Sequence, residues 1–154
     1  MLSTVLFNNH VQVLHDRIPA SEASYMTREE YTAYGATALY DAIGRTIRHI
    51  EDVHRYIRPG DVPEKTLFVI MTDGMENASR EFSGAMVREL VDKKKKDGWE
   101  FLFLAADIDT YEAASRIGID RNRSASFRKN GRGMAEMYFL RRCRNRLCQV
   151  SEKD

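Results

Sequence analysis

Hydrophobic residues in this chain fall into short continuous runs and into helically spaced stripes. The runs Thr66–Thr72 and Trp99–Ala106 are rich in β-branched, aromatic and leucine side chains. Such runs are typical of strands buried on both faces of a parallel sheet. The shorter run Ser124–Phe127 is predicted to be a final strand. Two further runs, Ser3–Phe7 and Val11–His15, flank Asn8-Asn9 and predict a tight antiparallel hairpin.

Apolar residues at helical spacing predict four helices between and after these strands. The first helix opens at Gly35–Thr37, where Thr37 is placed to cap it, and ends before Arg58-Pro59-Gly60. Phe82, Met86 and Leu90, with Val87 and Val91, form the apolar stripe of the second helix. The end of this helix, Lys93–Lys96, is expected to be solvated. The other two are Thr110–Ile117, with Asp109 as its cap, and Gly131–Arg146.

The order of elements predicts one α/β domain over residues 1–154. Strands that alternate with helices favour right-handed crossovers, and therefore a Rossmann-like, mostly parallel sheet with helices on both faces. The N-terminal hairpin would add an antiparallel edge. Polar residues follow both central strands, Thr72-Asp73-Gly74 after one and Asp107 and Asp109 after the other. Ligands of open α/β sheets bind beyond the carboxyl ends of the strands. We therefore expect Asp73 to lie at the functional edge of the sheet, which we call the working edge.

Composition narrows the class of protein. Of 154 residues 43% are hydrophobic and the formal net charge is +1, as in an ordinary soluble globular protein. No apolar run approaches the length of a membrane span, so we expect a cytoplasmic protein that does not bind membranes. Cys143 and Cys148 have no zinc or redox spacing, which favours two free thiols in a reducing compartment.

Four segments, taken in order, resemble a von Willebrand factor A-type domain. They are STVLFNNHVQVLHD, GATALYDAIG, TLFVIMTDGMENAS and GWEFLFLAADIDTYEAASRIGI, which together cover most of Ser3–Ile119. The resemblance implies a Mg²⁺-dependent adhesion site on the carboxyl edge of the sheet, with Thr37 and Asp73 as metal ligands. It also implies a non-enzymatic module that binds another protein.

The chain departs from that family at one essential point. It contains no Asp-x-Ser-x-Ser loop, which supplies an Asp and two Ser ligands in the family and follows its first strand. The resemblance therefore implies an N-terminally truncated domain with an incomplete metal site, and Mg²⁺ would bind weakly if at all. For Thr37 and Asp73, the roles of helix cap and turn residue are then the stronger alternatives.

The same departure predicts how the chain associates. In the family the missing strand lies between the hairpin and the strand that corresponds to Thr66–Thr72. Its absence would leave two bare sheet edges, and bare edges pair with other strands. We therefore expect a homo-oligomer that forms through the exposed edges, or by exchange of the hairpin.

Two other functions remain open from the sequence. The segment from Ile119 to Cys148 holds nine Lys or Arg residues against two acids, so an arginine-rich last helix could bind nucleic acid. An amphipathic helix with its arginines in solvent is the favoured alternative. A hydrolase using Asp73 with Asp107 or Asp109 is the least favoured function, since no nucleophile–base pair is recognisable. The four histidines, His10, His15, His49 and His54, show no metal-ligand spacing.

Overall fold

The computed structural model describes residues 1–27, 29–30, 35–106 and 108–127. Five strands and three α-helices lie within these residues, in the predicted order. They are β1 (Leu2–Phe7), β2 (Val11–Ile18), α1 (Leu39–Tyr56), β3 (Thr66–Thr72), α2 (Gly84–Lys96), β4 (Trp99–Ala105), α3 (Thr110–Arg116) and β5 (Ser124–Ser126). The predicted helix Gly131–Arg146, the cysteines and Asp107 lie outside the described residues.

The α/β class and the parallel sheet are confirmed. β3 pairs with β4 in parallel from Thr66↔Trp99 to Thr72↔Ala105, and β4 pairs with β5 in parallel. The hairpin prediction is also confirmed, because β1 and β2 pair antiparallel around the turn at Asn8-Asn9. A bulge in this hairpin leaves Arg17 with a positive φ of 52°.

The sequence predicts that the hairpin forms an antiparallel edge of the parallel sheet, and this prediction is wrong. The described strands form two separate sheets, β1-β2 and β3-β4-β5, with no ladder between β1 and β3. The outer sides of β1, β2, β3 and β5 therefore pair with no other described strand. Of these four edge strands, β1 and β3 are free of charged residues and long enough to take another strand.

All three described helices lie on one face of the parallel sheet. The buried core joins Ile70 and Phe103 of the sheet to Ile43 of α1, Val87 of α2 and Ala114 of α3. For α2 and α3 this follows from right-handed crossovers that advance in one direction, from β3 to β4 and from β4 to β5. The opposite face of β3 is covered less, with Leu67 47% and Met71 40% exposed. Helices on both faces are thus not found within the described part of the chain.

Two predicted helix features are wrong and one is confirmed. Thr37 does not cap α1, because the helix starts at Leu39 and its cap residue, Ala38, makes no side-chain cap hydrogen bond. The lysine run at the end of α2 is not wholly solvated, since Lys94 is buried. Asp109 caps α3 as predicted, its carboxylate accepting a hydrogen bond from the Glu112 N–H at 3.0 Å.

The predicted apolar stripe of α2 is confirmed except at Met86. Val87 and Val91 are fully buried, while Met86 is 40% exposed. Phe82 is buried but precedes the helix, whose N-cap is Ser83. The segment from Met75 to Phe82 is therefore an extended loop, and its conformation is fixed by contacts with α1.

Candidate functional site

The predicted working edge consists of two loops, residues 35–38 before α1 and residues 73–83 after β3. We call them the carboxyl-edge loops. The Thr37 N–H donates to Asn77 Oδ1 at 2.8 Å, and the Asn77 N–H donates back to the Thr37 carbonyl at 3.1 Å. A Cβ added to Gly74 would come within 2.9 Å of Thr37 Oγ1, so glycine allows the loops to approach closely. Thr37 and the residues next to Asp73 are thus brought together, as the sequence predicts.

Glu76 fixes the loop after β3 to the start of α1. Its carboxylate accepts hydrogen bonds from the Tyr40 N–H at 2.9 Å, the Ser79 N–H at 2.8 Å and the Ser79 hydroxyl at 2.7 Å. It also accepts from the Ala78 N–H at 2.9 Å. Glu76 therefore gives a first-turn N–H of α1 the partner that Thr37 does not supply, and its negative charge suits the helix N-terminus. Glu76 thus acts on the helix that precedes it in the chain as well as on its own loop.

Asp41 makes the second attachment, from the first turn of α1. Its carboxylate accepts from the backbone N–H groups of Arg80, Glu81 and Phe82 at 3.0, 3.0 and 2.8 Å. Burial alone would raise the pKa of Asp41, but these three hydrogen bonds bring the pKa below its ordinary value. Sequence reasoning gave Asp41 no role. The only local signal was an acidic residue placed among apolar positions at the start of a helix.

The hairpin is tied to the same place. The Ala38 N–H donates to the Asn8 carbonyl at 2.8 Å, and the Ala36 N–H donates to Asn9 Oδ1 at 2.6 Å. Segment 36–38 thus contacts the turn that ends β1 on one side and the loop that follows β3 on the other. The carboxyl ends of β1 and β3 therefore lie at the same edge of the molecule.

These contacts define what the carboxyl edge can do chemically. Asp41 and Glu76 are committed to backbone N–H groups, and Asp109 caps α3. Thr110 and Ser126 pair their hydroxyls at 2.7 Å. Across the described ranges, no group of three or more His, Cys, Asp or Glu side chains could hold a metal ion. The carboxylates of Asp41, Glu76 and Asp109 therefore hold backbone segments of the edge in place.

Three histidines make side-chain contacts with residues outside the carboxyl-edge loops. His15 contacts the Thr4 hydroxyl through Nδ1 at 3.1 Å, and His49 contacts Asp16 through Nε2 at 3.1 Å. His54 packs edge-on against Trp99 with ring centroids 5.9 Å apart. Burial next to the Lys94 and Arg17 charges lowers the pKa of His54. The His49–Asp16 contact links β2 to α1.

Within the described residues, no helix is both long enough and apolar enough to cross a bilayer. The chain matches no protein-family model, no curated protein and no solved structure.

Proposed function

We propose that this chain is a non-enzymatic protein–protein interaction module that binds through its open sheet edges. One observation carries the proposal: β1 and β3 each have an outer side that pairs with no other described strand. A sheet edge presents a row of backbone N–H and C=O groups that readily pair with another strand. Natural edges are commonly protected by charged residues or proline, but neither Leu2–Phe7 nor Thr66–Thr72 contains one.

The resemblance to a von Willebrand factor A-type domain supports the same proposal. The open outer sides of β1 and β3 lie where that resemblance implies a missing strand. Domains of this type bind protein partners at the carboxyl edge of the sheet, where Thr37 and the loop after Asp73 meet here. A non-enzymatic role is further supported by Asp41 and Glu76, whose carboxylates are used to hold the loops.

The proposal includes an incomplete Mg²⁺ site, with Thr37 and Asp73 as its protein ligands. Thr37 and Asp73 offer a hydroxyl and one carboxylate, which are ligand types that Mg²⁺ accepts. Two such groups leave most of the coordination shell to water, so we propose that binding of Mg²⁺ is weak and that partner binding does not depend on it.

In the absence of a partner, open edges should pair with each other, so we expect the chain to self-associate. Sedimentation velocity over a range of concentrations measures this. Val69→Pro should reduce self-association, because proline removes an outward N–H from the edge strand and its ring obstructs pairing. Val69→Thr is the matched control, since it retains the N–H and a β-branched side chain. A monomer at all concentrations, or equal association of both variants, would contradict the proposal.

A further inference from the structure

The outer side of β3 carries a defined set of backbone groups that pair with no other described strand. The Thr72 carbonyl accepts a hydrogen bond from the Ala106 N–H at 3.1 Å and therefore faces β4. In a strand the N–H and C=O of one residue face the same side, and successive residues alternate. Leu67, Val69 and Met71 therefore direct their backbone groups away from β4, toward the open edge.

The carboxyl end of β1 is joined to that of β3 through the segment before α1. The Asn8 carbonyl, just after β1, is bonded to Ala38, and Thr37 is bonded to Asn77 in the loop after β3. Phe7 of β1 also packs against the core that contains Ile70 of β3. Yet the two strands share no ladder. We call the space between the outer sides of β1 and β3 the inter-sheet slot.

The side chains around the slot determine what could fill it. Both bordering strands lack charged residues. On β3, Leu67 and Met71 are 47% and 40% exposed on the face opposite the three described helices. Apolar side chains exposed beside unpaired backbone groups favour an extended segment with apolar residues over any charged or globular ligand.

We propose that the inter-sheet slot takes one extended, apolar β-strand from a different polypeptide, which hydrogen-bonds to β1 and to β3 and joins the two sheets. This inference rests on the proposed function and names the class of partner. A second copy is a poorer donor, because each of its described strands is already paired within its own sheet. When no strand from another polypeptide is present, the chain self-associates through β3.

The test uses the full chain and a displayed library of ten-residue peptides that is random at every position. The retained peptides should share an uncharged run of apolar and β-branched residues. Their affinity should fall about tenfold or more for Val69→Pro, which removes one edge donor, and change less than about threefold for Val69→Thr. An unchanged melting temperature of Val69→Pro shows that the loss of affinity is not a loss of folding. A retained peptide should also shift the sedimenting species toward the monomer.

Three results would overturn the inference. The chain could retain no peptide, or it could retain only charged or polar peptides. It could also retain peptides that bind Val69→Pro as tightly as they bind the unsubstituted chain. If the chain self-associates and Val69→Pro prevents this, but no apolar strand is retained, the slot inference fails while the proposed function stands. If neither self-association nor peptide binding is found, both fail.

Discussion

At the scale of single residues, Asp41 attaches the loop after β3 to the first turn of α1. Only 6% of the residue is exposed, and three successive N–H groups of the loop after β3 donate to its carboxylate. The folded-state pKa is lowered, so the stabilisation is fully present above the ordinary carboxyl pKa of the unfolded chain. It is lost as the pH falls from that value through the lower pKa of the folded state.

Asp41→Asn should lower the free energy of unfolding by about 2 kcal/mol at neutral pH, because an amide cannot accept from three donors and brings two of its own. Urea unfolding at pH 7 and at pH 3 measures this. The difference between Asp41→Asn and the unsubstituted chain should shrink at the lower pH. Asp52→Asn is the control, since Asp52 lies exposed on the same helix and forms a surface ion pair with Arg55. Equal effects of the two substitutions, or a difference that does not change with pH, would contradict this account of Asp41.

Thr37 and Asp73 carry a separate residue-scale prediction about Mg²⁺. If the site is as incomplete as we propose, millimolar Mg²⁺ should raise the melting temperature by less than about 1 °C. The same small change should be seen for Asp73→Asn. A rise of several degrees in the unsubstituted chain that disappears in Asp73→Asn would mean that the ion has ligands beyond Thr37 and Asp73.

At the scale of elements, the sequence pattern predicted β3 better than the start of α1. β3 begins and ends as predicted, because an uncharged apolar run bounded by Lys65 and Asp73 has clear limits. The prediction that Thr37 caps α1 is wrong, because the residue that bonds to the start of this helix is distant in sequence. The first-turn N–H of Tyr40 bonds to Glu76, 36 residues away, and no local pattern records that contact.

Lys94 shows the same limit on α2. Four consecutive lysines favour a solvated helix end, yet Lys94 contacts Glu51 at 3.0 Å, Asp97 at 2.9 Å and the face of Trp99 at 5.4 Å. Burial alone would lower the pKa of Lys94, but the bonds to Asp97 and Glu51 raise it, so the ammonium stays charged. Lys94 thereby fastens the end of α2 to α1, a relation that depends on how the two helices cross.

Lys94→Ala should reduce the free energy of unfolding by about 2 kcal/mol, since it removes both packing against Trp99 and a partly buried ion pair. Lys96→Ala, at an exposed position of the same helix end, should change it by less than about 0.5 kcal/mol. Urea unfolding of the two variants side by side gives the comparison. Similar values for both would mean that the burial of Lys94 contributes nothing to stability.

At the scale of the whole molecule, the order of elements followed from the sequence but their division into two sheets did not follow from periodicity. Each run of hydrophobic residues indicates a strand, but it does not determine which strand pairs with it. The gap beside β3 was expected only from the resemblance, which implied a strand that these residues do not contain. The carboxyl-edge loops nevertheless hold β1 and β3 at one edge, through Ala38 and Asn77.

The central claim is that the outer side of β3 is open, and residue-resolved hydrogen exchange in dilute, monomeric protein tests it most directly. The outward N–H groups of Leu67, Val69 and Met71 should exchange at least about tenfold faster than those of Phe68 and Ile70, which face β4. Uniformly slow exchange along Thr66–Thr72 would show that the edge is already covered and would contradict the account.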